Sequence, residues 1–166
     1  MKDTFVISSS YSVILFPASF TKVPASARDP TPTQAVRYLH THVLPHPYHR
    51  AILHNNTVVG SISITPCSDE GNKCRASVGY RLAHDYWGKG IATVAVRMAV
   101  AEVFERWEGL ERVEGVVDVE NNVRSMRVLE KAGFLREGVL RRYLVLKGEV
   151  RDVVMFGLVR ADLLQG

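Results

Sequence analysis

The chain is short of cysteine and of long apolar runs, and each shortage removes a class of protein. Only Cys67 and Cys74 occur, flanking Ser68–Lys73. A single pair with no second pair makes neither a zinc signature nor a disulfide framework. Free thiols in a surface loop of an intracellular protein are expected instead. No stretch approaches the ~20 consecutive apolar residues of a membrane span. The formal charge of +4 over 166 residues is mild, and no dense Lys/Arg run appears. Direct nucleic-acid binding is therefore not expected, whereas an anionic small molecule suits the balance. His40, His42, His46 and His49 gather around Pro45 and Pro47. Proline at position 45 keeps the i,i+4 spacing of His42 and His46 off a helix, so these read as solvated loop histidines with no metal. Repeats, low-complexity tracts and interdomain linkers are also lacking.

What remains is an ordinary globular composition, 46% apolar and 23% charged, long enough for one domain with a real core. Residues 1–27 read as an atypical N-terminal arm. Phe5–Ile7 and Val13–Phe16 are apolar but interrupted by Ser8–Ser10, too broken for the core of a signal peptide. An edge strand or a loose arm fits better than a cleaved targeting segment, and a cytoplasmic location follows as an expectation. Thr31-Pro32-Thr33-Gln34 is a capping box with proline at the first helical position, predicting a helix to about Val43 with Val36, Leu39 and Val43 on one face.

Ala51–Leu53 and Thr57–Ile64 read as a hairpin turning at Asn55-Asn56, and Arg75–Leu82 as the next strand. A helix is expected from Ile91 to Trp107, with Val96, Val100, Val103, Phe104 and Trp107 in one stripe. Arg97, Glu102, Glu105 and Arg106 take its other side. Then come a strand, Arg112–Val119, and a short helix, Val123–Ala132, stopped by Gly133 with Phe134 folding back on Leu129. Strands Val139–Leu146 and Val150–Val159 close the chain around Lys147-Gly148-Glu149. This order predicts a mixed α/β (α+β) domain on one central sheet.

The run Tyr86-Trp87-Gly88-Lys89-Gly90-Ile91-Ala92-Thr93 carries the most chemistry. Two glycines stand where a strand gives way to a long helix. Glycine removes the Cβ atoms that hold a ligand off the backbone, and the first helical N–H groups lack partners within the helix. Such an end cradles anions, a diphosphate included. Neither the P-loop spacing nor Gly-x-Gly-x-x-Gly is present, since Thr93 occupies the third position.

A second segment sharpens the reading: Asn122-x-x-Ser125-x-Arg127-Val128-Leu129-Glu130-Lys131-x-Gly133-Phe134. In this order the two motifs resemble the GNAT superfamily of acetyl-CoA-dependent N-acetyltransferases, most closely its RimJ/RimL-like branch with the ribosomal-protein alanine acetyltransferases and small plant relatives. The resemblance covers residues 28–160, and places a single GNAT-like domain in 28–166. It implies a mostly antiparallel sheet splayed at the acetyl-CoA site, with helices on both faces. The branch usually opens with a strand and helix forming part of the acceptor wall. Here that opening reads as atypical or missing.

Acetyl-CoA, as co-substrate, is implied to pair its pantetheine with the strand 77–82, nearest Tyr80 and Leu82. Its diphosphate would meet backbone N–H groups of Trp87, Gly88, Lys89, Gly90, Ile91 and Ala92. The Lys89 ammonium either adds a charge contact or is simply solvated. Asn122 is at once an N-cap and the implied partner of the pantetheine arm. Ser125 is either an ordinary third helical residue or the acid that protonates the leaving thiolate.

The family's usual base, a carboxylate two residues before Gly79-Tyr80, is replaced by Ser77. An α-amine with pKa near ~7.7–8.0 needs only ~1 kcal/mol to be neutral at pH 7, whereas lysine near ~10.4 needs ~4–5 kcal/mol. A site without a strong base should prefer α-amines, so the expected acceptor is a protein or peptide N-terminus. Asp118 and Glu120 are substitute bases acting through water, and Tyr143 a substitute acid or orienting hydroxyl. A small-molecule amine acceptor and an acyl-CoA-binding module with impaired chemistry remain the alternatives. The expected state is a monomer or weak dimer.

Overall fold

The computed structural model of the protein describes residues 13–17, 37, 39–120 and 122–164. Its seven strands are β1 (Val13–Pro17), β2 (His49–His54), β3 (Thr57–Pro66), β4 (Arg75–Leu82), β5 (Arg112–Asp118), β6 (Leu135–Leu146) and β7 (Glu149–Val159). Two α-helices are described, α1 (Ile91–Arg106) and α2 (Val123–Ala132). The chain divides into two compact units, residues 1–65 with 79–95, and residues 66–78 with 96–166. The division falls inside β4 and again inside α1, so both elements contribute residues to each unit. No helix among the described residues is long and apolar enough to cross a membrane.

In the first unit the strand order is β1-β2-β3-β4. β1 pairs antiparallel with β2 from Val13↔His54 to Pro17↔Arg50, so the arm contributes an edge strand. The strand that the sequence left as atypical or missing is therefore present. Val13–Phe16 are uniformly apolar, so no alternating period marks them, and pairing with β2 is what defines the strand. β2 and β3 form the expected hairpin. Asn55 and Asn56 take φ of 50° and 60°, the left-handed pair that a tight two-residue turn needs and that asparagine tolerates. Ile52, Ile62, Ile64, Val59 and Tyr48 are buried, each such apolar side chain contributing ~1.5–3 kcal/mol.

Most of the helix expected from Thr31 lies outside the described residues. Its last part, Leu39–Val43, is a π-helical turn rather than regular α-helix, and Val43 is buried. The histidines after it are not all solvated. His46 and His49 are half-buried with rings 5.7 Å apart, and His46 Nε2 lies 2.9 Å from Thr65 Oγ1. His46 Nδ1 accepts the Tyr48 N–H at 3.1 Å. The prolines that exclude a helix do not exclude packing, because the loop folds back onto β3.

In the second unit the order is β4-β5-β7-β6. β4 runs parallel to β5 from Arg75↔Arg112 to Ser77↔Glu114, while β5–β7 and β6–β7 are antiparallel. Val96, Val100, Val103 and Phe104 of α1 are buried in the expected stripe. Trp107 lies just past the helix end and is only half-buried. Glu102, expected on the solvent side, is half-buried and pairs with Arg106 at 3.2 Å. One side chain collects carbonyls at and just after the end of α1: the Arg160 guanidinium donates to Phe104 O at 2.5 Å and to Leu110 O and Trp107 O at 2.7 and 3.1 Å. A cation there also favours the helix dipole.

β6 begins at Leu135, earlier than the expected Val139. A bulge sets the extra residue Glu137 between the pairs Arg136↔Phe156 and Gly138↔Met155. Its carboxylate accepts from the Arg112 guanidinium at 2.6 Å, which holds Glu137 below the ordinary carboxylate range. Cys67 and Cys74 are free, and Cys67 N–H bonds Arg75 O across the loop they bound.

Candidate functional site

In the first unit the last residues of β4 lead into a short 3-10 turn, His84–Tyr86, then into Gly88-Lys89-Gly90 and α1. Both glycines take φ of +75°, where a side chain would be strained, and nothing lies within 4 Å of a Cβ built on either. The bare backbone is therefore required by conformation, and the space above it is open. Val94 N–H bonds Gly90 O at 3.1 Å as the first intrahelical bond. The N–H groups of Ile91, Ala92 and Thr93 precede any carbonyl their own helix offers. Gly90 has no side chain with which to cap them.

Trp87 is engaged through both of its N–H groups. Its backbone N–H donates to His84 O at 3.0 Å, closing the 3-10 turn, and its indole Nε1 donates to Leu82 O at 2.9 Å. Trp87 is thus a brace that fixes the loop to the end of β4, with the His84 ring tilted against it at 4.7 Å. Lys89 Nζ sits 5.3 Å above the Tyr86 ring, a cation–π placement beside the turn.

β4 is held from its other side by β3. Ala83 N–H bonds Val59 O at 2.8 Å, and Ser63 Oγ reaches Gly79 O at 3.5 Å. A Cβ at Gly60 would lie 2.1 Å from Arg81 O and 2.7 Å from Leu82 Cδ2, so only glycine lets β3 approach this part of β4. Tyr80 is half-buried and Leu82 half-buried. This dependence on Gly60 was not legible beforehand, because nothing local to Gly60 announces which backbone will cross it.

In the second unit the N-terminus of α2 is capped as expected. Asn122 Oδ1 accepts the Ser125 N–H at 3.3 Å, and the Asn122 carbonyl accepts it at 3.0 Å. Gly133 ends α2 at φ 103°, with Phe134 N–H returning to Leu129 O at 3.0 Å. The expected substitute bases are both engaged. Asp118 Oδ1 accepts the Glu120 N–H at 3.0 Å, and the Glu120 carboxylate pairs with Arg151. Ser77 is exposed, and Tyr143 is 54% exposed on β6. No cluster of His, Cys, Asp and Glu suited to a metal occurs among the described residues.

Comparison with known proteins gives this geometry its context. The acetyltransferase (GNAT) domain family matches residues 15–135. The N-acetyltransferase p20 of Bacillus licheniformis, itself uncharacterised, is 35% identical over 105 residues, 63% of this chain and 57% of its own. The structure of Mycobacterium smegmatis RimJ in complex with CoA-disulfide aligns with TM-score 0.62 and 32% identity, over 69% of this chain and 54% of that one. The chain thus spans somewhat more than half the length of these relatives. The ribosomal-protein-S5-alanine acetyltransferase of Vibrio fischeri shares the fold over 97% of this chain and 98% of its own, with TM-score 0.70 and 22% identity.

Proposed function

The chain belongs to the GNAT acetyltransferase family, and from that premise we propose that it transfers an acetyl group from acetyl-CoA directly to a primary amine, the N-terminal α-amine of a protein or peptide. The observation that carries this reading is the uncapped start of α1, where Gly88 and Gly90 at φ +75° leave backbone donors facing open space. Acetyl-CoA supplies the acyl group as a thioester. Gly88, Lys89, Gly90, Ile91 and Ala92 hold its diphosphate, and Trp87 fixes the turn that presents them. Tyr80 and Leu82 on β4 lie along the pantetheine. The Leu82 carbonyl already takes the Trp87 indole, so pairing of the arm with the strand falls mainly to Gly79, Tyr80 and Arg81.

In the transfer a new N–C bond forms as the C–S bond breaks, the amine losing a proton and the thiolate gaining one. Ser125 is the proposed acid for the thiolate, and the Asn122 amide the proposed partner of the arm. Asp118 takes the amine proton through water, and Tyr143 orients the acceptor. Ser77 stands where the family's usual carboxylate base would be, which supports an α-amine acceptor over lysine.

The test incubates the protein with acetyl-CoA and peptides bearing free N-termini and internal lysines, and locates the added acetyl group by mass spectrometry. Acetylation confined to α-amines is expected. Modification of lysine alone would overturn the acceptor assignment. Unmodified peptides beside measurable acetyl-CoA binding would move the reading to a small-molecule amine, or to an acyl-CoA-binding module that has lost its chemistry, which the serine at position 77 also suits.

A further inference from the structure

At the end of β5 the second unit gathers several carboxylates, and each has a hydrogen-bond or ion-pair partner. Asp118 takes the Glu120 N–H, Arg151 holds Glu120 and Glu149, and Asp152 Oδ1 accepts the Arg142 N–H at 2.7 Å. The arginines opposite them are in another situation. Leu140 pairs with Val153 and Leu144 with Arg151, so Arg141, Arg142 and Tyr143 stand opposite Asp152 alone. This is a wide bulge in an edge strand, and it is held in place. Arg142 takes φ of 52°, a left-handed conformation that costs a non-glycine residue ~1–2 kcal/mol, and the Asp152 carboxylate offsets that cost by fixing its N–H. All three bulge residues are exposed, and neither Arg141 nor Arg142 makes an ion pair among the described residues.

The bulge also lies at the end of the sheet that leads into α2. Asp118 pairs with Val153 on β7, Val153 pairs with Leu140 on β6, and Val119 N–H bonds Asp152 O at 3.2 Å. Two strand spacings, ~10 Å, therefore separate the bulge from the end of β5, a span that about three extended residues cover. From the end of β5 the chain passes through Asn122 to Ser125.

We propose that the Arg141–Arg142–Tyr143 bulge recognises the acceptor by its acidity, taking carboxylate side chains at positions two to four after the reactive α-amine. Charge selects this occupant. Arg141 and Arg142 are exposed and make no ion pair among the described residues, and guanidinium binds carboxylate through paired hydrogen bonds. A second copy adding along β6 would bring the Arg141–Arg142 pairs of both chains together, which like-charge repulsion disfavours. The inference rests on the proposed acyl transfer and names the acceptor class for it.

Two fluorescent peptides test it, identical except for Asp/Glu or Asn/Gln at positions two to four, each titrated into the full chain in the presence of CoA. The acidic peptide should bind about tenfold more tightly at low salt, and the advantage should shrink at ~0.5 M salt as the charges are screened. The double variant R141E/R142E should abolish the preference and favour a lysine-bearing peptide. R142G, which suits the left-handed conformation, should keep the melting temperature and lose part of the preference, and it decides the matter should the double variant not fold. Equal binding of the two peptides, or a preference that survives in both variants, overturns the proposal. Acetylation followed in parallel keeps the two readings apart. Equal binding with both peptides acetylated removes the acidic surface and leaves acyl transfer standing. Selective acidic binding with no amine acetylated upholds the surface and removes acyl transfer.

Discussion

The two helix starts solve the same problem in opposite ways. Each α-helix begins with N–H groups that its own carbonyls cannot reach. At α2 the chain supplies the partner itself, the Asn122 side chain accepting the Ser125 N–H. At α1 the preceding residue is Gly90, which has no side chain to offer, and its φ of +75° with the same value at Gly88 leaves the approach clear. A self-satisfied end is a structural joint. An end left uncapped beside a bare turn costs stability unless a ligand completes it, and this difference supports assigning the anion to α1 rather than α2.

The largest expected effect comes from converting the uncapped end into a self-capped one. Asp at position 90 tolerates the left-handed conformation better than most residues and places a carboxylate on the α1 donors. Loss of two charge-assisted hydrogen bonds at ~1.5 kcal/mol each predicts at least a hundredfold weaker acetyl-CoA binding for Gly90→Asp by calorimetry. Unchanged binding would show that the diphosphate does not sit there. Next is Gly60→Ala, whose Cβ would be forced against Arg81 O and Leu82. Overpacking of this kind costs ~1–3 kcal/mol. At ~2–4 °C per kcal/mol it should lower the melting temperature by several degrees, and it should weaken acetyl-CoA binding by displacing the end of β4.

Asn122 permits a finer cut at the second end. Asn122→Ala should cost ~1 kcal/mol of stability through the lost cap. Asn122→Asp keeps the capping oxygen, so its melting temperature should hold. If the amide N–H₂ group also serves the pantetheine arm, acetyl-CoA affinity should still fall in the Asp variant, and no fall would reduce Asn122 to a cap. The smallest effect is a pH dependence in the first unit. Burial, with His46, Arg81 and Arg50 adding positive charge nearby, lowers the His49 pKa, and burial lowers that of His46. Below the ordinary value of ~6.5 the unfolded chain then binds more protons than the folded one. The contribution of the neutral rings is full above that pH and lost as pH falls through it. Melting temperature should therefore drop between pH 7.5 and 5.5, and His49→Gln should flatten the slope.

Much of the fold was legible because its signals are local. The turns at Asn55-Asn56 and Lys147-Gly148, the cap at Asn122 and the stop at Gly133 depend on the backbone preferences of residues within one turn of each other. The glycine run before α1 was legible for the same reason. The features that escaped are those in which distant residues decide. Pairing of β1 with β2 makes a strand of a segment whose own pattern is indistinct. His46 is half-buried with its Nε2 beside Thr65 of β3, a contact nineteen residues away in sequence. The brace formed by Trp87 depends on where Leu82 O ends up, and the Trp87 N–H is engaged separately by His84 O. The bulge at Arg141–Tyr143 is a mismatch in count between two strands, which neither strand records separately.

By itself, then, the amino-acid order determined the element sequence, the glycine turn, the α2 cap and the family to which the chain belongs, since each is written in residue types at fixed short spacing. Tertiary structure alone decided which donors of that turn remain for a ligand, which carboxylates are already spent, and where two arginines are left facing outward. Those outcomes follow from hydrogen bonds and charges satisfied across strands, and a strand's partners are chosen by packing that no local window contains.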